Sequence, residues 1–127
     1  MDAGRTLDGG PLPIDLEHLS RYAVRPETTR ELLIIFRDQA EIWISRMSAA
    51  GDPAIWRETA HTLKGAAKAI GAWPLAELCE QAEALAAEHG ESGETAITQR
   101  EILLAKIQAE VERARRYIDQ VIEPLAG

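Results

Sequence analysis

Cysteine is nearly absent from this sequence: Cys79 stands alone. No disulfide can form within the chain, and a reducing cytoplasm is the expected setting. Positive charge is also in deficit. Lys and Arg number 14 against 21 Asp and Glu, a net charge of −7 with His neutral. Readers of nucleic acid are usually basic, so that class of partner is set aside. Long apolar runs are missing as well. Leu32-Leu33-Ile34-Ile35-Phe36 is closed by Glu31 and Arg37, far short of the roughly 20 residues a membrane span needs. The first residues carry Asp2, Arg5 and Asp8 among glycines with no apolar core, which argues against a signal peptide. After residue 13 there is no sustained polar–apolar alternation, the mark of a half-buried strand.

What remains is a chain of 127 residues, 46% hydrophobic and 28% charged, suited to one globular domain. Residues 1–13 hold Gly4, Gly9, Gly10, Pro11 and Pro13 and read as a flexible leader. Residues 14–127 show helical spacing throughout. A short helix runs from Asp15, which fits an N-cap, to Ser20 or Arg21. A second starts near Pro26 and runs to about Ala50, with Leu32, Leu33, Phe36, Ala40, Trp43 and Met47 along one stripe. Gly51 ends it. Asp52 caps a third helix with Pro53 in its first turn, and Gly71 terminates it after Ile70. The fourth begins near Pro74 with Leu75, Leu78, Cys79, Ala82, Leu85 and Ala86 on one face, and finishes at His89 and Gly90. After a polar loop over residues 91–94, the fifth runs from Thr95 to Gln120 with Ile97, Leu104, Ile107, Val111, Ala114, Ile118 and Val121 as its stripe. The expected fold is all-α: an antiparallel four-helix bundle with a short additional N-terminal helix.

The third helix carries the chemistry. With His61 at 0° and about 100° per residue, Trp56, Leu63, Ala66, Ala67 and Ile70 fall between roughly 140° and 240° and define the core face. His61 points the opposite way. Arg57, Lys64 and Lys68 lie within about 60° of it, and Gly65 sits one turn on at about 40°. A neutral imidazole nitrogen is a nucleophile, and cations beside it suit a dianionic phosphoryl group. Lys64, one turn away, is the best placed of the three; Lys68 is two turns away, and Arg57 is the weakest candidate. A mid-helix glycine costs about 1 kcal/mol relative to alanine. Gly65 faces away from the core, so packing does not explain it, but an open approach to the imidazole does. Ala54, Ala69 and Ala72 are expected on the same smooth side.

These residues form a recognisable pattern. Ala60-His61-Thr62-Leu63-Lys64-Gly65-Ala66-Ala67, then Ile70-Gly71-Ala72, then Leu75-Ala76-x-Leu78-Cys79-x-x-Ala82-Glu83 closely resemble the histidine-containing phosphotransfer (HPt) domain. The similarity extends upstream through Ile14-Asp15-Leu16 and the second helix, and so covers most of residues 14–120. The resemblance implies a relay of phosphoryl groups between receiver-domain aspartates in bacterial two-component signalling. By it His61 is the phosphoacceptor, through Nε2. Lys64 matches the family's phosphoryl-stabilising lysine, and Gly65 matches its access-giving glycine. Lys68 occupies a position the family varies, and a phosphoryl or partner contact is expected of it. Glu83 falls near a polar contact of some members, yet an acid there would repel phosphate, so it is assigned a surface or structural role. The implied partners are a response-regulator receiver domain, a hybrid histidine kinase, or both. No cofactor is expected on this chain; Mg²⁺ belongs to the receiver. Exposed apolar residues of the first two helices, such as Leu19 and Ile35, are the candidate docking contacts. With no glycine-rich nucleotide loop, the chain is expected to be a phosphohistidine carrier without kinase activity, cytoplasmic and monomeric. The loose leader and Pro124-Leu125-Ala126-Gly127 fit a free-standing protein.

Other readings carry less. A helical adaptor that binds a receiver or kinase without phosphotransfer is the main alternative, disfavoured by the intact His61, Lys64 and Gly65. Glu58-x-x-His61 has the spacing of di-iron bundles, but it occurs once, faces outward and lies beside lysines. The phosphoacceptor domain of a chemotaxis-type kinase normally fronts a much longer chain. His18 is expected to be solvated, His89 to serve a helix end, and Cys79 to be a buried thiol. Trp43, Trp56 and Trp73 are expected in or at the edge of the core. Glu101, Glu110 and Glu112 are expected to be balanced by Arg113, Arg115 and Arg116 on a solvated face.

Overall fold

The structure, a computed structural model, describes residues 6–7, 10–89 and 94–126, and their side chains over 12–85 and 98–123. Among the described residues are five helices: α1 Leu16–Tyr22, α2 Pro26–Ala49, α3 Pro53–Ile70, α4 Trp73–His89 and α5 Glu94–Ala126. Ahead of them β1 (Thr6–Leu7) and β2 (Gly10–Pro11) form a two-residue antiparallel ladder, Thr6 opposite Pro11. This ladder falls within the stretch read as a flexible leader. Gly90 and the loop after it lie outside the described residues, as do the side chains of Ala86, His89 and Ile97.

Local chemistry sets the helix boundaries. Asp15 caps α1 by accepting from the His18 amide at 3.1 Å, and Asp52 caps α3 by accepting from the Ala54 amide at 2.9 Å. These side chains satisfy amides that the first turn leaves unpaired. Pro26 and Pro53 enter their helices in the first turn, where a missing amide costs nothing. At the end of α3, Gly71 adopts φ 77°. Its amide bonds the Lys68 carbonyl and the Ala72 amide bonds the Ala67 carbonyl, the paired closure of a Schellman end.

Gly71 also locks α1 in place. The Asp15 amide donates to the Gly71 carbonyl at 2.8 Å. A Cβ on Gly71 would sit 2.8 Å from the Asp15 carbonyl oxygen, so only glycine allows both the positive φ and this approach. The Trp73 indole N–H adds a bond to Asp15 Oδ2 at 3.1 Å.

The four long helices form a closed ring in which α3 touches α2 and α4, and α5 touches α2 and α4. The core is built from Leu33, Phe36, Ala40 and Met47 of α2, Trp56, Leu63, Ala67 and Ile70 of α3, Leu75, Cys79 and Ala82 of α4, and Leu103, Ile107, Val111, Ala114 and Ile118 of α5. Each Leu, Ile or Met so buried contributes about 1.5–3 kcal/mol before entropy is counted. The Trp56 indole N–H donates to the Ala82 carbonyl at 2.9 Å and ties α3 to α4. Burial pushes the Cys79 thiol up to about 12, which leaves it inert.

Several expectations are corrected. Leu32 lies at the exposed edge of α2; its neighbour Leu33 takes the core position. Leu19, expected on the surface, is 1% exposed because it fills the gap under α1. Ala72 is fully buried, since the chain turns inward after Gly71. Trp73 is exposed, although its N–H bonds Asp15 and its ring meets His18. His18 is half-buried rather than solvated, packed edge-on against Tyr22 and Trp73 at 5.1 and 4.8 Å between centroids. Helix α5 continues beyond Gln120 because Val121 and Ile122 still pack on the core. Its acids and arginines pair on two different sides of the helix, Arg113 with Glu110 at 3.1 Å and largely shielded, Arg115 with Glu112 at 3.4 Å and more exposed.

Candidate functional site

Helix α3 splits by face. Trp56, Leu63, Ala67 and Ile70 are buried, while the His61 side chain is 70% exposed. Thr59 and Thr62 do not disturb the helix, because their hydroxyls bond back to the Ile55 and Glu58 carbonyls at 2.8 and 3.0 Å. A Cβ placed on Gly65 would meet nothing within 4 Å. No packing demand fixes glycine there, and the space beside the ring stands open.

The half of the site that sequence reasoning missed comes from α4. Glu83 approaches His61 Nδ1 with Oε1 at 3.0 Å, and its Oε2 lies 2.7 Å from Lys64 Nζ. Lys64 and Glu83 are only 19% and 20% exposed, so water screens the pair incompletely. Burial alone would raise the Glu83 carboxyl, but the hydrogen bonds from Lys64 and His61 outweigh it and hold the acid below the usual carboxylate range. Its hydrogen bond to Glu83 in turn raises the Lys64 ammonium.

That charge state orders the imidazole. An ionised carboxylate only accepts hydrogen bonds, so the proton facing Glu83 resides on His61 Nδ1. In the neutral ring that tautomer puts the lone pair on Nε2, on the ring edge remote from the Nδ1–Glu83 contact. An open cleft of about 440 Å³ borders the ring, lined by Arg57, Glu58, His61, Thr62 and Glu83. Glu83 is therefore more than a surface acid. The repulsion it would offer a phosphate is offset by Lys64, and its other oxygen positions the ring.

The remaining sequence candidates are placed as follows. Lys64 stands beside the ring but is engaged by Glu83. Lys68 is exposed and does not line the cleft, whereas Arg57 does. Ala54 and Ala69 are exposed on the same helix. Among the described residues no group of three or more His, Cys, Asp or Glu side chains could hold a metal ion. Among the same residues no helix is long and apolar enough to cross a membrane.

Among the described residues, then, the bundle presents an exposed imidazole on α3 held against a partly shielded carboxylate–ammonium pair. Comparison with known families gives the class its name. The sequence model of the Hpt domain matches residues 31–117, more than two thirds of the chain, and the chain belongs to that family. Hpt domains are phosphocarrier modules of two-component signalling, not catalytic domains, and they interact with receiver domains and kinases. The match takes in α3, α4 and most of α2 and α5, while α1 lies ahead of it. No curated protein and no solved structure matches the chain.

Proposed function

We propose that this protein relays a phosphoryl group between receiver-domain aspartates through a phosphohistidine at His61. The observation that carries the reading is the geometry of the imidazole, with Nδ1 held by Glu83 at 3.0 Å and the ring 70% exposed. In the transfer step the Nε2 lone pair forms an N–P bond as the acyl-phosphate O–P bond of the receiver breaks, and the aspartate leaves as carboxylate. The Nδ1 proton stays in place. Positive charge develops on the ring, and the ionised Glu83 opposes it at the far nitrogen. Return of the group to a second aspartate reverses these changes. Gly65 leaves the approach open.

The receiver supplies Mg²⁺ and the acidic pocket, and this chain supplies a convex face. On α2, Arg37 and Glu41 reach across to Asp119 and Arg115 of α5. Ile35 and Ile42, both exposed, lie on the other flank by helical spacing, toward α3 and His61. They replace Leu19 as the docking contacts, and Lys68 extends that face. On this reading the protein works as a monomer in the bacterial cytoplasm.

The test is transfer from a phosphorylated receiver domain to the wild type and to His61→Ala. Label on the wild type alone, labile in acid and stable in alkali, is the expected result. Absence of label across a broad receiver panel and with phosphoramidate overturns the relay and leaves a helical adaptor.

A further inference from the structure

The motif points to Lys64 as the cation that meets the phosphoryl group, but the structure gives Lys64 another occupation. Its Nζ lies 2.7 Å from Glu83 Oε2 and is mostly shielded. Only the N–H groups it does not give to that carboxylate, in a mostly shielded position, are left for a phosphoryl oxygen. Lys64 is also missing from the lining of the cleft in front of the imidazole, whose cationic member is Arg57.

Helix geometry accounts for this. Side chains on an α-helix lean toward its N-terminus. The His61 side chain therefore leans toward the preceding turn, whose Arg57 and Glu58 line the cleft with it. Arg57 is exposed and makes no ion pair or hydrogen bond with the described residues. Its guanidinium is planar and forked, the shape that binds two oxygens of a phosphoryl group at once. Need as well as opportunity favours it. Two carboxylates line the cleft, Glu58 and Glu83. Lys64 balances Glu83, and only Arg57 among the lining residues opposes Glu58. Without Arg57 an incoming dianion would meet a net negative wall.

We propose that Arg57 is the residue of this chain that contacts the phosphoryl oxygens during transfer to and from His61, and that Lys64 acts one step removed, by holding Glu83. The inference rests on the phosphohistidine reading above. It divides two cations one turn either side of the histidine into a substrate contact and a positioning residue.

The experiment uses the full chain and phosphoramidate as donor, so that receiver docking does not enter. The Nε2 lone pair forms the new N–P bond as the donor's P–N bond breaks, and ammonia leaves. Initial rates are compared for wild type, Arg57→Ala, Arg57→Lys and Lys64→Ala, with the imidazole ¹⁵N resonances of each recorded and thermal melting checked. Arg57→Ala is expected to slow labelling about tenfold or more, the scale of losing one charged contact to a transferring group. Its Nδ1–H signal stays as in wild type, and Arg57→Lys recovers part of the rate. Lys64→Ala is expected to shift the Nδ1–H signal, since Glu83 loses its counter-ion. Arg57→Ala within about twofold of wild type, beside a Lys64→Ala that slows labelling with an unchanged imidazole signal, overturns the assignment. A wild type that takes no label on His61 overturns the phosphohistidine reading itself, and this inference with it.

Discussion

At the α2–α5 seam Arg37 meets Asp119 at 2.8 Å and Arg115 meets Glu41 at 3.4 Å; at the α3–α4 seam Lys64 meets Glu83 at 2.7 Å with His61 alongside. The chemistry is the same, an acid on one helix and a base on its neighbour, but the surroundings differ. Asp119 and Glu41 are each 60% exposed, so water competes for both partners and the pairs do little beyond marking register. Glu83 is shielded, and Lys64 keeps it ionised. That fixed charge is then available to a third group, the imidazole. Shielding therefore separates an ion pair that decorates a seam from one that orients an imidazole. Four substitutions and one titration test that distinction.

The largest effect is expected where the α3–α4 seam is driest. Trp56 is buried and donates to the Ala82 carbonyl. Trp56→Ala leaves a cavity and an unpaired carbonyl, and is expected to lose about 3–5 kcal/mol of stability in urea titration. Trp56→Phe, which keeps most of the volume, should lose about 1–3 kcal/mol. If both variants melt like wild type, the seam is not the rigid platform the His61–Glu83 geometry requires.

Next comes Glu83→Gln. An amide presents either an oxygen or an N–H to Nδ1, so it no longer dictates which nitrogen carries the proton. Phosphotransfer is expected to fall about 10- to 100-fold, the range seen when the partner that orients a metal-binding histidine is removed. The ¹⁵N spectrum of His61 should show the tautomers mixing. Unchanged rate with a mixed tautomer would mean that ring orientation does not limit transfer.

The same pair predicts a pH dependence. Glu83 is held below its ordinary range in the folded protein. Its contribution to stability is therefore complete above the unfolded carboxylate pKa of about 4.3 and is lost as pH falls through the lower folded value. Lys64 is raised by its bond to Glu83, so its contribution is complete below the unfolded pKa of about 10.4 and is lost as pH climbs through the higher folded one. Between those limits the pair should be indifferent to pH. Acid unfolding followed by circular dichroism should show Glu83→Gln losing less stability than wild type below about pH 4.3. An acid limb of equal steepness in both proteins would remove Glu83 as its source.

Much of this architecture is legible along the chain, because caps and stripes are local. Asp15, Asp52, Pro53 and Gly71 act within a few residues of themselves, and the helix ends follow from them. The outward direction of His61 follows from counting around one helix. What escapes is what depends on a neighbour. Leu32 and Leu33 are equally apolar, and only the position of α3 and α5 decides which is buried. Leu19 and Trp73 exchange expected places because α1 folds over the α3–α4 turn, with Asp15 against Gly71. Glu83 is 22 residues from His61 and on another helix, and its charge argues against a phosphate site until Lys64 is seen to balance it. One signal was available. His61 lies ten residues before Gly71 and Glu83 twelve after, so an antiparallel pair of helices turning at Gly71 brings them level.

The smallest effect is the one that sharpens the comparison most. Arg37→Ala removes the 2.8 Å contact with Asp119, by distance as good a pair as Lys64–Glu83. If proximity of opposite charges were what mattered, the two seams would respond alike. Asp119 is exposed and Arg37 also bonds its neighbour Asp38 at 3.4 Å, so the expected loss is at most about 1 kcal/mol and shrinks further in high salt. Phosphotransfer should not change, since neither residue faces His61. Thermal melts of Arg37→Ala at low and high ionic strength, set beside its labelling rate, supply the check. A loss well above that figure, or any slowing of transfer, would mean that the α2–α5 seam is coupled to the site and that shielding is not what separates the two.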